Sequence, residues 1–355
     1  MPRQLILFPC SHMGNLLIAL PHLKAMLAAQ EESLLVIDQR YQPIIAMALP
    51  GETRVLWYPD AELASHKSFL HRSRHYLRFL LALRRFRAEH SVDIEGEQKS
   101  ATLSLLSGAA TRHGPTRRHS RWFYSHSHGA DFSGHRWLGY ASLSLPAADT
   151  PANYLPLNAT RAGQQDIAQH PLQPTQQPRP ILIHPGATKT YKMWHPEQFA
   201  SLCQRLRRLG ATPILIGAGA KDRAQIERIQ TFLCEPAMNL CDQLSLEALV
   251  ALMQQSRGYV GNDSGPMHLA AACGLATVGL FGPTNDTLWS PLSRRATVLR
   301  QRQCHSQCQR NSCVMDSYPC LQGITVDRVI ATLETLGALN GDQSVCGHHR
   351  PTVMR

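Results

Sequence analysis

Short apolar runs alternate with helical patterns along two separate stretches of this chain, and that alternation admits few architectures. Leu5–Phe8 leads into a loop over 9–15 and a helical pattern over Leu16–Ala29, after which Leu34–Asp38 is apolar again. Strand, helix, strand in that order is the grammar of a parallel sheet, because parallel neighbours need a crossover long enough to hold a helix. Val55–Tyr58 and Ser91–Ile94 add strands, and Ser68–Arg87 and Lys99–Leu106 add helices. Gln and Pro then crowd 163–179, a composition that predicts an interdomain linker, since proline stops helices and removes strand donors. Beyond it the alternation restarts. Ile181–His184, Thr212–Ile216, Gly258–Val260 and Thr277–Phe281 read as strands, with helices over Pro196–Leu209, Lys221–Phe232, Leu246–Gln255 and Pro266–Cys273.

The expected fold class is therefore α/β, with two Rossmann-like halves. The predicted units are 1–162, the linker 163–179, 180–323, and 324–355 as a terminal helix over Thr325–Leu336 followed by a tail. A length of 355 residues agrees, because one hydrophobic core rarely serves so long a chain. No apolar run nears the roughly 18 to 20 residues of a membrane span. Met1-Pro-Arg meets Leu5-Ile-Leu-Phe8 with no room for the apolar core of a signal peptide, so the expected location is the cytoplasm.

Three loops at strand ends carry ligand chemistry. In Gly261-Asn-Asp-Ser-Gly-Pro-Met-His268, Asp263 or Ser264 caps the coming helix, Pro266 suits its first turn, and Gly265 lets the backbone approach a ligand. The N–H groups at such a helix start attract an anion, typically phosphate. His184-Pro-Gly-Ala-Thr188-Lys-Thr190-Tyr-Lys192 offers hydroxyls and lysines that suit a diphosphate. Gly217 and Gly219 close a third strand, and Asp222 could bond a ribose.

The order and spacing of these loops resembles glycosyltransferase family 9, the bacterial heptosyltransferases. The segments that carry the resemblance are Pro9–Pro21, Val92–Ser100, Pro185–Pro196, Gly217–Asp222 and, above all, Gly261–Pro283. It implies two Rossmann-like domains facing each other across a cleft, the GT-B architecture, and metal-independent inverting transfer from a nucleotide sugar, usually ADP-heptose. It also implies that Thr188, Lys192, Ser264 and Gly265 hold the diphosphate beside Asp263, that Asp222 meets the ribose, and that His268 supports the phosphate loop.

Inverting transfer needs a base for the acceptor hydroxyl and positive groups for the leaving diphosphate. Lys192 and the helix at Pro266 answer the second need. The family places its base on an Asp in a Ser-x-x-Gly-Asp pattern, whereas this chain reads Ser11-His-Met-Gly14-Asn15. A carboxamide accepts no proton at neutral pH. His12 in the same loop could replace it, since a neutral imidazole is a proton acceptor. Asp38, Glu95 or Glu97 could enter instead, or Asn15 only positions the acceptor in a nucleotide-sugar-binding protein without turnover.

Charge locates the other substrate. The excess of 36 Lys and Arg over 25 Asp and Glu concentrates between His66 and Arg136, where thirteen basic residues meet five acids. Nucleic-acid binding lacks the aromatic platforms of a known module and leaves the second half unexplained. The expected partner is an acidic acceptor, which the family resemblance makes the inner core of lipopolysaccharide. Ser11, Lys99, Arg117, Arg118 and Arg121 are its expected contacts, with peripheral attachment to the cytoplasmic face of the inner membrane. A different donor sugar or a protein acceptor is the alternative within the family. No cofactor is expected for catalysis. Cys304, Cys308, Cys313 and Cys320 have the number of sulfurs a structural Zn or Fe site needs, though not the usual paired spacing.

Overall fold

Six segments of the N-terminal half pair edge to edge in parallel: β1 (Gln4–Phe8), β2 (Ser33–Asp38), β3 (Val55–Tyr58), β4 (His90–Asp93), β5 (Thr111–Pro115) and β6 (His126–His128). Six of the C-terminal half do the same: β7 (Pro180–His184), β8 (Thr212–Leu215), β9 (Met238–Asn239), β10 (Gly258–Asn262), β11 (Ala276–Phe281) and β12 (Ala296–Arg300). The computed structural model describes residues 2–64, 68–116, 121–130, 134–144, 152–301 and 319–339. Strand order is β3-β2-β1-β4-β5-β6 in the first sheet and β12-β11-β10-β7-β8-β9 in the second, the doubly wound α/β plan expected of each half.

In both sheets the chain builds outward from its first strand and then crosses to the other side. The crossings put switch points between β1 and β4 and between β7 and β10, where loops diverge and leave a crevice at the carboxyl ends. The loops after β1, β7 and β10 therefore meet where a ligand fits. The interface that holds them so is apolar. One buried cluster joins Leu16, Leu17 and Leu20 of the helix Met13–Ala29 to Met267 and Ala270 of the helix Gly265–Ala272. Each fully buried leucine contributes about 1.5–3 kcal/mol.

Two sequence expectations need correction. The stretch 163–179 is not simply a linker, because Arg161–Ala168 is a helix. Thr160 caps it by accepting from the Gly163 N–H at 3.1 Å, and its glutamines favour helix, while the prolines begin only after it ends. Ile167 is fully buried, and Gly163 lies so close to Glu247 that a Cβ there would meet backbone at 2.5 Å. The segment is thereby packed onto the helix Leu246–Gln255. The first helix begins at Met13 rather than Leu16, so Gly14 and Asn15 belong to its first turn. Gly14 reads as a loop residue but serves close packing, since a Cβ would stand 2.6 Å from the His268 ring.

β5, β6, β9 and β12 and the helix Gln42–Ala48 were not expected; β9 has two residues, and β6, His126-Ser127-His128, is polar. The terminal helix forms over Val326–Thr335, within its expected span, and buries Val329, Ile330 and Leu333 in the C-terminal core. No helix among the described residues is long and apolar enough to cross a membrane.

Candidate functional site

The loop leaving β7 and the turn after β10 are locked together by side chains. Asn262, fully buried at the end of β10, donates to the Pro185 carbonyl at 2.7 Å and accepts from the Trp194 N–H at 2.9 Å. Trp194 is itself fully buried and donates its indole N–H to the Ile324 carbonyl at 3.1 Å. Both ends of the 185–194 loop are thus fixed to the sheet. Lys192 reaches back to the Asp263 carboxylate at 2.7 Å, and Asp263 is almost wholly buried.

His184 stands at the centre of the second lock. Its Nε2 is 3.1 Å from Asp222 and its Nδ1 is 3.2 Å from the Ser264 hydroxyl, so one imidazole joins the ends of β7 and β10 to the helix Ala220–Thr231. Burial raises the Asp222 pKa, but the bonds from His184 and from the Ala218 N–H outweigh it, and the carboxyl stays below its ordinary range. A Cβ at Gly186 or Gly217 would collide with Asp222, which explains both glycines sterically.

Two cavities meet here. One of about 600 Å³ is lined by the apolar Ile216, Leu240, Leu244 and Leu249 and by the polar His184 and Asp222. The other, about 410 Å³, is lined by Ser11, His12, Asn15, Lys192, Asp263 and His268. Met13, Thr188, Ser264 and Gly265 border both, so the two form one groove that crosses the start of the helix Gly265–Ala272. Every residue expected to bind the donor borders this groove.

His268 closes it from the far side. Burial lowers its pKa to about 4, so the ring is neutral at physiological pH. Its Nδ1 lies 2.6 Å from the hydroxyl of Tyr154, whose phenol burial keeps protonated. The arrangement that satisfies both groups has Tyr154 donating to Nδ1, leaving the ring proton on Nε2, the side that faces Gly14. Tyr154→Phe is expected to cost about 1–3 kcal/mol of unfolding free energy by leaving a buried nitrogen unpaired. The urea midpoint at neutral pH measures it, and an unchanged midpoint would show that this bond contributes nothing.

On the opposite wall, Tyr41 fixes the loop before the first helix by donating to the Ser11 carbonyl at 2.8 Å. Asn15 lies against the Cys10 thiol, and His12 faces the cleft with Ser11 Oγ 3.4 Å from its Nδ1. Of the acids considered as replacements, Asp38 is held by three bonds from Arg40, from its backbone N–H at 3.0 Å and its guanidinium at 3.1 and 2.7 Å, and Glu97 is exposed at the start of the helix Gln98–Leu106. Glu95 differs. It is buried against Cys10 with one carboxylate oxygen unpartnered, and burial together with Asp93 pushes its pKa up to about 7.

Lys99 is held by Asp60 at 3.3 Å and stands over the Tyr58 ring. Arg117 and Arg118 lie outside the described residues, as do Cys304, Cys308 and Cys313. Arg121 opens the short turn Arg121–Phe123. Cys320 is buried in the C-terminal core, and among the described residues no group of three His, Cys, Asp or Glu side chains is placed to hold a metal ion. Sequence reasoning missed His184, Tyr154 and the leucines of the larger cavity. His184 opens a glycine loop and gave a signal; Leu244 and Leu249 read only as helix-flanking apolar residues.

Residues 76–319 match the family model described as Glycosyltransferase family 9 (heptosyltransferase). Lipopolysaccharide heptosyltransferase 2 of Salmonella typhimurium is 30% identical over 163 residues, 44% of this chain and 47% of that protein. Lipooligosaccharide heptosyltransferase 2 of Haemophilus influenzae is 36% identical over 128 residues, 34% and 37% of the two chains. The chain thus spans about half the length, or less, of these curated relatives. Among solved structures, E. coli ADP-heptose lps heptosyltransferase II superposes with a TM-score of 0.74 at 20% identity, covering 95% of this chain and 98% of that one. A family 9 glycosyl transferase of Veillonella parvula gives 0.77 at 21%, covering 94% and 97%. These neighbours share the fold, two facing Rossmann-like domains of the GT-B type.

Proposed function

From the premise that this chain belongs to glycosyltransferase family 9, we propose that it transfers heptose from ADP-heptose to an acidic sugar of a lipopolysaccharide inner core, with inversion. One observation carries the reading: a cavity of about 600 Å³ and a second of about 410 Å³ adjoin at Met13, Thr188, Ser264 and Gly265, over the N-terminus of the helix Gly265–Ala272. The base of the nucleotide occupies the leucine-lined end and the ribose lies near Asp222. The diphosphate crosses Thr188, Ser264 and the Gly265 backbone, where helix N–H groups favour an anion. E. coli heptosyltransferase WaaC has been solved with ADP and shares this fold at a TM-score of 0.70. That likeness supports adenine as the base.

The sugar then projects toward Ser11, His12 and Asn15. An acceptor hydroxyl positioned by Asn15 attacks the anomeric carbon from the side opposite the diphosphate while His12 takes its proton. The bond from that carbon to the diphosphate oxygen breaks, and Lys192 with the start of the helix Gly265–Ala272 carries the charge that develops there. His268, neutral and braced by Tyr154, holds the cleft wall. Lys99, Arg117, Arg118 and Arg121 meet the acidic groups of the acceptor. We place the enzyme at the cytoplasmic face of the inner membrane, where such an acceptor is anchored. Cys304, Cys308, Cys313 and Cys320 stay outside the reaction as a structural Zn or Fe site, a role that metal analysis of the purified protein decides.

A melting-temperature panel of nucleotides tests the donor. ADP at a hundredfold excess over its Kd is expected to stabilise the fold by about 2.7 kcal/mol, whereas UDP and GDP leave it unmoved. Stabilisation by UDP or GDP alone would overturn the choice of ADP-heptose. Stabilisation by ADP without product from ADP-heptose and a core acceptor would leave a binding protein in place of a transferase.

A further inference from the structure

The helix Phe69–Arg85 is covered on one side only. Phe79 and Leu83 are buried in the outer core of the first domain beside Tyr58 and Leu103, whereas Phe69, Leu70, Leu77 and Leu81 are 74%, 78%, 58% and 48% exposed. At the helical repeat, Leu70, Leu77 and Leu81 share a sector about 40° wide. Arg84 flanks that sector on one side, and Arg74, Arg85 and Arg78 on the other. The helix contains no Asp or Glu, and among the described residues Arg72, Arg74, Arg78 and Arg85 have no acidic partner. Arg84 bonds the Leu106 carbonyl at 3.0 Å, and the neighbouring Leu105, 46% exposed, extends the apolar row.

Single exposed leucines are ordinary on a protein surface; an aligned row bordered by arginines that have no acidic partner among the described residues is not. A second copy of this chain does not fit the face, because it would bring arginine against arginine. A bilayer interface does: leucines enter the acyl boundary, and guanidinium groups on long stems reach the phosphates. The helix returns from β3 to β4, so its start, with Phe69 and Leu70, lies at the carboxyl edge of the sheet. The same edge carries Ser11 to Asn15.

We propose that this face docks the enzyme on an anionic phospholipid bilayer, the helix lying along the surface and its first turn beside the acceptor end of the cleft. The purpose of such docking rests on the lipid-borne acceptor proposed above; the binding itself does not. Flotation of the full chain with phosphatidylcholine vesicles, with and without phosphatidylglycerol, tests it at physiological salt. Binding is expected only with phosphatidylglycerol. It should weaken at least about tenfold in Leu77→Ser/Leu81→Ser and in Arg74→Glu/Arg78→Glu, since each basic residue near such a surface contributes about 1 kcal/mol. Unchanged melting temperatures and unchanged transfer to a soluble, delipidated acceptor would show that both variants fold. The proposal is overturned if the wild-type protein ignores phosphatidylglycerol, if it binds only vesicles bearing lipopolysaccharide, or if either double variant binds as the wild type does. Vesicle binding without any transfer would count against the proposed reaction alone.

Discussion

His12→Ala is expected to lower kcat by about 10²- to 10⁴-fold with little change in KM for the nucleotide sugar, the usual loss when a positioned base is removed. The residue stands across the cleft from Lys192 and His268, and among the described residues lining that cavity the carboxylate is Asp263, already paired with Lys192. Asn15→Asp in the His12→Ala background is expected to recover much of the loss. Position 15 lies in the first turn of a 17-residue helix, where a carboxylate is favoured by the helix dipole and faces the cleft. Steady-state rates across a pH series decide the matter. If His12→Ala keeps full activity while Glu95→Gln loses it, the proton goes to Glu95 instead. The wild-type rate would then fall as acidification through about pH 7 protonates that carboxylate.

Glu95 has a second signature that does not depend on turnover. Its folded pKa lies above that of an ordinary carboxyl, so the folded state binds the proton more tightly than the unfolded chain does. Stability is lost as pH rises between the ordinary carboxylate range and about 7. Glu95→Gln removes that loss, and its advantage over the wild type should be larger at pH 8 than at pH 5.

What could be read before folding and what could not divide along physical lines. The central strands β1, β2, β7, β10 and β11 are buried on both faces and are legible as continuous apolar runs. The edge strands β6 and β9 are short and polar or half-buried, and carry no such pattern. The helix Arg161–Ala168 was hidden by glutamines, which suit a linker and a helix equally, and only its packing on Leu246–Gln255 decides between them. The loops after β7 and β10 were legible because glycine, proline and hydroxyl residues at a strand end have few structural uses. His184 was not singled out, because its role depends on Asp222 and Ser264, which lie 38 and 80 residues away in the chain. The Gly14 contact with His268 belongs to the same class: a steric demand between domains leaves only a glycine behind.

Lys192→Met is expected to reduce kcat by about 10²- to 10³-fold, the scale on which one aimed positive or hydrogen-bonding group supports a developing oxyanion. The ammonium is not loose on the surface. Asp263 holds it at 2.7 Å, and Asp263 is fixed in turn at the end of β10, where its N–H donates to the Leu280 carbonyl at 3.1 Å. The carboxylate thus places the cation at the border of the groove that crosses the start of the helix Gly265–Ala272. Removing Lys192 alone does two things at once, because it deletes the charge and leaves Asp263 buried without its partner. Lys192→Met/Asp263→Asn separates them. If the loss comes from the orphaned carboxylate distorting the loop, the double variant recovers rate and melting temperature together. If it comes from the missing positive charge, the melting temperature recovers and kcat does not. The second outcome is the one expected, with KM for ADP-heptose rising far less than kcat falls, since the charge on the leaving diphosphate oxygen is greater in the transition state than in the bound donor.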